Sequence, residues 1–145
     1  MSISPSAIAD GIATMLGAAS VLGSINVVSK GNYQILETEV PIACVIHWTD
    51  LNSQPMTFGM RENREQHWNF LLQCFLRVTD DPNAVINNVW LYTDKIKNCL
   101  ESDSTLQNTV DATGTIGAQR EPNRVLAIGG QSWLPIDFTV EAVVY

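Results

Sequence analysis

The chain has 145 residues, 46% of them hydrophobic and only 16% charged. That length fits one domain on the usual scale of about 100–200 residues, and the apolar share excludes wholesale disorder. Eight basic residues stand against 15 acidic ones, for a formal net charge of −7, which argues against a protein that coats duplex DNA or grips anionic lipid, since both need clustered Lys and Arg.

The start reads as a helix over about residues 4–17. Ser4 can cap it, Pro5 suits the first helical position, and Ile8, Ile12, Met15, Leu16 and Ala19 follow a helical period. From Gly11 to Ser29 there is no charge. Three glycines and several polar residues in that stretch favour a short helix, a glycine turn and a strand over a membrane span. No Lys or Arg precedes Lys30, so the basic start of a signal peptide is missing. Ile25 to Val28 is a short strand, Lys30-Gly31-Asn32 a turn, and Gln34 to Glu39 a second extended piece ending at Pro41. Ile42 to Trp48 is apolar and rich in β-branched residues, which predicts a strand.

Asp50 to Gly59 has the composition of a loop. Yet Met56, Phe58 and Met60 alternate inside it, as in one arm of an extended hairpin. The other arm is Glu65 to Thr79, where Trp68, Phe70, Leu72, Cys74, Leu76 and Val78 share one face. Leu71 and Phe75 interrupt the polar face, so that face is partly covered. Asp80-Asp81-Pro82 starts a helix over about residues 82–101. Val85, Val89, Tyr92, Ile96 and Leu100 form its apolar stripe, widened by Ile86, Trp90 and Cys99. Thr113 to Gln119 is a strand weakened by two glycines. Arg120 to Arg124 is a polar turn, Val125 to Ile128 is extended, and Gly129-Gly130 suits a tight hairpin. The last strand puts Leu134, Ile136, Phe138, Val140, Ala142 and Val144 on one face. The order predicts a single α+β domain over residues 1–145: an antiparallel or mixed sheet, two main helices on one face, and an extended β-hairpin.

Few residues suggest chemistry. Cys44, Cys74 and Cys99 are odd in number and widely spaced, unlike a secreted disulfide scaffold, and a reducing compartment fits them better. Cys44 and His47, three apart in a strand, point to opposite faces, so no metal site is expected. The pairs Glu37/Glu39 and Glu101/Asp103 read as a solvated edge and a solvated helix end. No phosphate loop, G-x-S-x-G or H-E-x-x-H pattern is present. Of the four tryptophans, Trp68 and Trp90 read as core. Trp133, beside the Gly-Gly turn and on the polar face of the last strand, is the first candidate for a partner contact, with a local cap over the sheet edge as the equal alternative. Arg61 with Arg64, and Arg120 with Arg124, read first as solvated turns, with docking onto acidic neighbours as the other reading.

This layout resembles the tail terminator, or tail completion, proteins of long-tailed bacteriophages. The likeness covers most of the chain. It lies in the N-terminal helix followed by Ile25-Asn26-Val27-Val28 and in the strand Val40-Pro41-Ile42-Ala43-Cys44-Val45. It also lies in the approach from Arg61 to Arg64 into the strand at Trp68, in the Asp-Pro helix with its exit Asp103-Ser104-Thr105-Leu106, and in the paired final strands. Where many relatives show glycine soon after the Thr-Leu exit, this chain has Gln107 and Asn108.

The resemblance implies a virion structural protein without catalysis or cofactor, made in the host cytoplasm and placed at the tail–neck junction. Its implied partners are copies of itself in a ring, usually a hexamer, the tail tube protein and a neck protein. Genomic DNA would pass through the lumen without specific binding, and no membrane is involved. Candidate contacts are Met56, Phe58, Met60, Arg61, Arg64, Arg120, Arg124 and Trp133. The alternatives are a head-completion ring protein of similar layout and a small cytosolic ligand-binding or enzyme domain.

Overall fold

Local sequence signals set most element ends. The computed structural model describes residues 4–18, 26–30, 42–55, 64–78, 82–121, 124–128 and 130–145. Helix α1 runs Pro5–Ala18. The Ser4 hydroxyl accepts the amide of Ala7 at 3.2 Å, the N-cap bond that satisfies an otherwise orphaned donor. Helix α2 runs Pro82–Glu101, with proline at its first position. The strands are β1 (Asn26–Lys30), β2 (Ile42–Pro55), β3 (Arg64–Arg77), β4 (Ala112–Gln119), β5 (Leu126–Ile128) and β6 (Gln131–Val144).

The strands form one mixed sheet in the order β1-β2-β3-β6-β4, with β5 pairing the start of β6. Among the described strands only β1 runs parallel to its neighbour, with Asn26 opposite Ile42 and Lys30 opposite Ile46. β2 and β3 are a long antiparallel hairpin, from Ile42 opposite Leu76 to Pro55 opposite Arg64. The polar segment Asp50 to Pro55 is therefore strand. A β-bulge between Trp48 and Asp50 keeps the alternation in step despite the extra residue. β6 pairs β3 along nearly its whole length. At the β5–β6 turn Gly130 takes φ +77°, which suits a residue without Cβ. The second extended piece (Gln34 to Glu39), the Gly31-Asn32 turn and the Met56–Met60 alternation lie outside the described residues.

The main core lies between one face of the sheet and both helices. Ile8, Ile12 and Leu16 from α1 and Val85, Val89, Ile96 and Leu100 from α2 meet Ile46, Phe70, Leu72, Leu76, Ile136, Phe138 and Val140. Burial of this apolar surface is the dominant favourable contribution, at about 25 cal/mol per Å². A second, smaller cluster sits on the other face. It holds Ala43, Val45, Phe75 and Trp133, with Leu126 packed against it. The continuous apolar run Ile42 to Ile46 thus buries side chains in both directions.

Candidate interaction surfaces

Along α2 the residues Val85, Val89, Ile96 and Leu100 face the sheet, and a step of 100° per residue puts Ile86 and Trp90 on the adjoining flank. That flank is open. Trp90 is 73% exposed and Ile86 55%. Beside Trp90 lies a groove of about 390 Å³. Thr93, Asp94 and Lys97 form its helical wall, and Ala118, Gln119 and Arg120 form the wall at the end of β4. The groove therefore combines a large aromatic side, two cations and one carboxylate.

A second exposed apolar area lies on the outer half of the hairpin. Trp48 is 58% exposed and Leu51 40%. Trp48 meets Trp68 edge-to-face, with ring centroids 6.1 Å apart. Between this ring and the start of α1, a cleft of about 460 Å³ is lined by Pro5, Ser6, Ala9, Ile46 and Phe70. β1 covers the outer side of β2 only from Ile42 to Ile46. From Trp48 to Pro55, no described strand pairs with that side. At the opposite margin, β4 pairs only with β6. Among the described residues, the sheet thus has two margins without a partner strand, on opposite sides.

The far part of the second face is polar. His67 bridges two carboxylates, Glu65 and Glu141, each at 3.4 Å. Among the described residues, no group of three or more His, Cys, Asp or Glu is arranged to hold a metal ion. No described helix is long and apolar enough to cross a membrane. Cys44 lies on the helix face and His47 on the other, as strand alternation requires.

The eight residues singled out in the sequence fare differently. Arg64 opens β3, where its guanidinium donates to the Ser53 hydroxyl at 2.8 Å and to the Ser53 carbonyl at 3.2 Å. Arg120 stands exposed on the groove wall. Arg124 pairs loosely with Glu121 at 3.9 Å. Met56, Phe58, Met60 and Arg61 lie outside the described residues.

Trp133 corrects the expectation of an exposed contact. It is fully buried, because its side chain packs with Ala43, Val45 and Phe75 on the second face of the sheet, with Leu126 against them. Trp90 reverses the other way, from expected core to the most exposed large apolar side chain described. Its place at the margin of the apolar stripe was the available signal.

The exit of α2 is more organised than a solvated helix end. One Asp103 carboxylate oxygen accepts the amide and hydroxyl of Thr105 at 2.9 and 2.7 Å, and the other accepts the amide of Gln107 at 3.0 Å. The Thr105 hydroxyl, and then the amides of Gln107 and Thr105, hold the Asp103 carboxyl below its ordinary pKa.

No family model matches the chain, and no curated protein matches it. Among solved structures it is similar to the sheath/tube terminator, in its extended state, of an extracellular contractile injection system, PVC. The identity is 14% and the TM-score 0.48, over 99% of this chain and 57% of that one. The chain thus spans little more than half the length of that neighbour.

Proposed function

We propose that the chain is a structural subunit that joins copies of itself edge to edge into a closed ring, and that this ring caps the head-proximal end of a phage tail tube and connects it to the neck. The observation that carries the reading is the pair of sheet edges that no described strand covers, Trp48 to Pro55 of β2 and the outer side of β4. Two different edges on opposite sides of one chain make a heterologous contact, and such contacts end in a ring when the rotation closes. Sheet addition supplies directional main-chain hydrogen bonds, and exposed side chains give the contact its specificity. Trp48, Leu51, Ile86 and Trp90 are the apolar residues such an interface can cover.

The resemblance in layout to tail terminator proteins supports the same reading. The proposed docking cations are Arg64, Arg120 and Arg124, with Met56, Phe58, Met60 and Arg61 on the segment that joins β2 to β3. Subunits with a net charge of −7 would line a lumen that repels the DNA backbone and lets it slide. The test is tube capping. Purified protein added to polymerising tail tube protein should stop growth at one end and leave a ring there. Unchanged tube lengths with no bound ring would overturn the proposal.

A further inference from the structure

We propose that Cys44 and Cys74 are an oxidisable pair that closes a disulfide across the β2–β3 hairpin when the protein meets a disulfide oxidant. The two residues are direct partners in the hairpin register. Their sulfurs stand 2.9 Å apart, both side chains are fully buried, and both are free thiols. Directly opposed residues of an antiparallel pair have Cα atoms about 4.5–5.5 Å apart, which lies inside the span of about 4.4–6.8 Å that a disulfide bridges. The bond therefore needs no shift of strand register. The inference stands on this geometry alone and does not depend on the assembly reading.

The third cysteine is a built-in control. Cys99, on α2, directs its thiol to the carbonyl of Met15 on α1 at 3.4 Å.

With oxidised glutathione as oxidant, the exchange balances in two steps. One cysteine thiolate attacks a glutathione sulfur, forming a mixed disulfide and releasing one glutathione thiolate. The other protein thiolate then attacks the sulfur of the first cysteine and releases the second. The protein loses two protons and two electrons, and one glutathione disulfide becomes two thiols. Burial, and then Cys44 beside it, push the Cys74 thiol well above its ordinary pKa. In the closed hairpin Cys74 thus holds little thiolate, and with both sulfurs buried, exchange passes through a locally opened state. In a reducing compartment the pair remains two thiols. Outside it, the bond staples β2 to β3 in the middle of the core.

The test uses the full chain. The protein is incubated with oxidised glutathione, alkylated under denaturing conditions, and mapped by mass spectrometry without reduction. The expected result is a single cross-linked species joining Cys44 to Cys74, lighter by two hydrogens, with Cys99 alkylated. Mild urea should speed its formation, and the melting midpoint of the oxidised form should rise by about 5–10 °C. Full alkylation of Cys44 and Cys74, a lasting glutathione adduct, or a cross-link involving Cys99 would overturn the proposal. Because the wild-type chain supplies the map, no destabilised variant is needed. The double variant Cys44→Ala/Cys74→Ala, checked for native circular dichroism, should show no oxidant-dependent shift in melting.

Discussion

Three consecutive residues without a glycine, Leu106, Gln107 and Asn108, run through the left-handed region at φ 47°, 62° and 61°, and the side chains around them hold that turn. Asp103 ties down Thr105 and Gln107, the Thr105 hydroxyl accepts the amide of Asn108 at 3.2 Å, and the Thr109 hydroxyl donates to the Leu106 carbonyl at 2.7 Å. Leu106 is fully buried and anchors the turn to the core. The backbone here has the conformation a glycine adopts freely, so Gln107→Gly should stabilise the fold by up to about 1 kcal/mol, read from urea melts. Asp103→Asn should lower the melting midpoint at neutral pH. The folded pKa of Asp103 lies below its unfolded value, so its contribution is present above the unfolded value and lost as pH falls through the folded one. The gap between wild type and Asp103→Asn should therefore close below about pH 4, and a gap that stays constant from pH 7 to pH 3 would rule this account out. Gly11 packs against the same turn, and a Cβ there would run into the Leu106 carbonyl and Thr109. Gly11→Ala should cost about 1–3 kcal/mol by overpacking, despite alanine's better helix propensity. In sequence this turn was visible only as a departure at Gln107 and Asn108, because the Asp103 network depends on positive φ values that composition does not reveal.

At the scale of elements, both helices and most strand positions were legible, because capping residues and alternation are local signals. The extension of β2 through Asp50 to Pro55 was only half legible. Its residues are polar because that stretch lies beyond the main core, and its pairing with β3 is a long-range fact. The parallel attachment of β1 left no trace in five residues. The two tryptophan reversals share a cause. A helical wheel gives the angle of Trp90 but not how far the sheet reaches beneath α2. Alternation gives the face of Trp133 but not that this end of the second face is covered. The run Ile42 to Ile46 with Phe75 opposite Ala43 was the signal that a second core existed there. Its consequence is testable. Trp133→Ala should destabilise the fold by about 3–5 kcal/mol, as for a core aromatic. Trp90→Ser should change stability by less than about 0.5 kcal/mol while weakening self-association, read by sedimentation velocity. A Trp90→Ser protein that associates as strongly as wild type would remove α2 from the interface.

Across the whole molecule, a low charged fraction, a net charge of −7, two sheet edges that no described strand covers and two exposed aromatic areas belong to one account. Exposed strand edges are a liability in a lone domain. A closed ring satisfies both edges without running on into a fibre. The oxidisable pair lies inside the hairpin that carries one of these edges, so ring closure and hairpin stapling can be measured separately on the same preparation. The most direct test of the central claim is native mass spectrometry of the reduced protein over a range of concentrations. The account predicts a closed oligomer of fixed number, most tellingly a hexamer, with few intermediates between it and the monomer. A monomer at every concentration, or an open series of ever larger species, would contradict the ring.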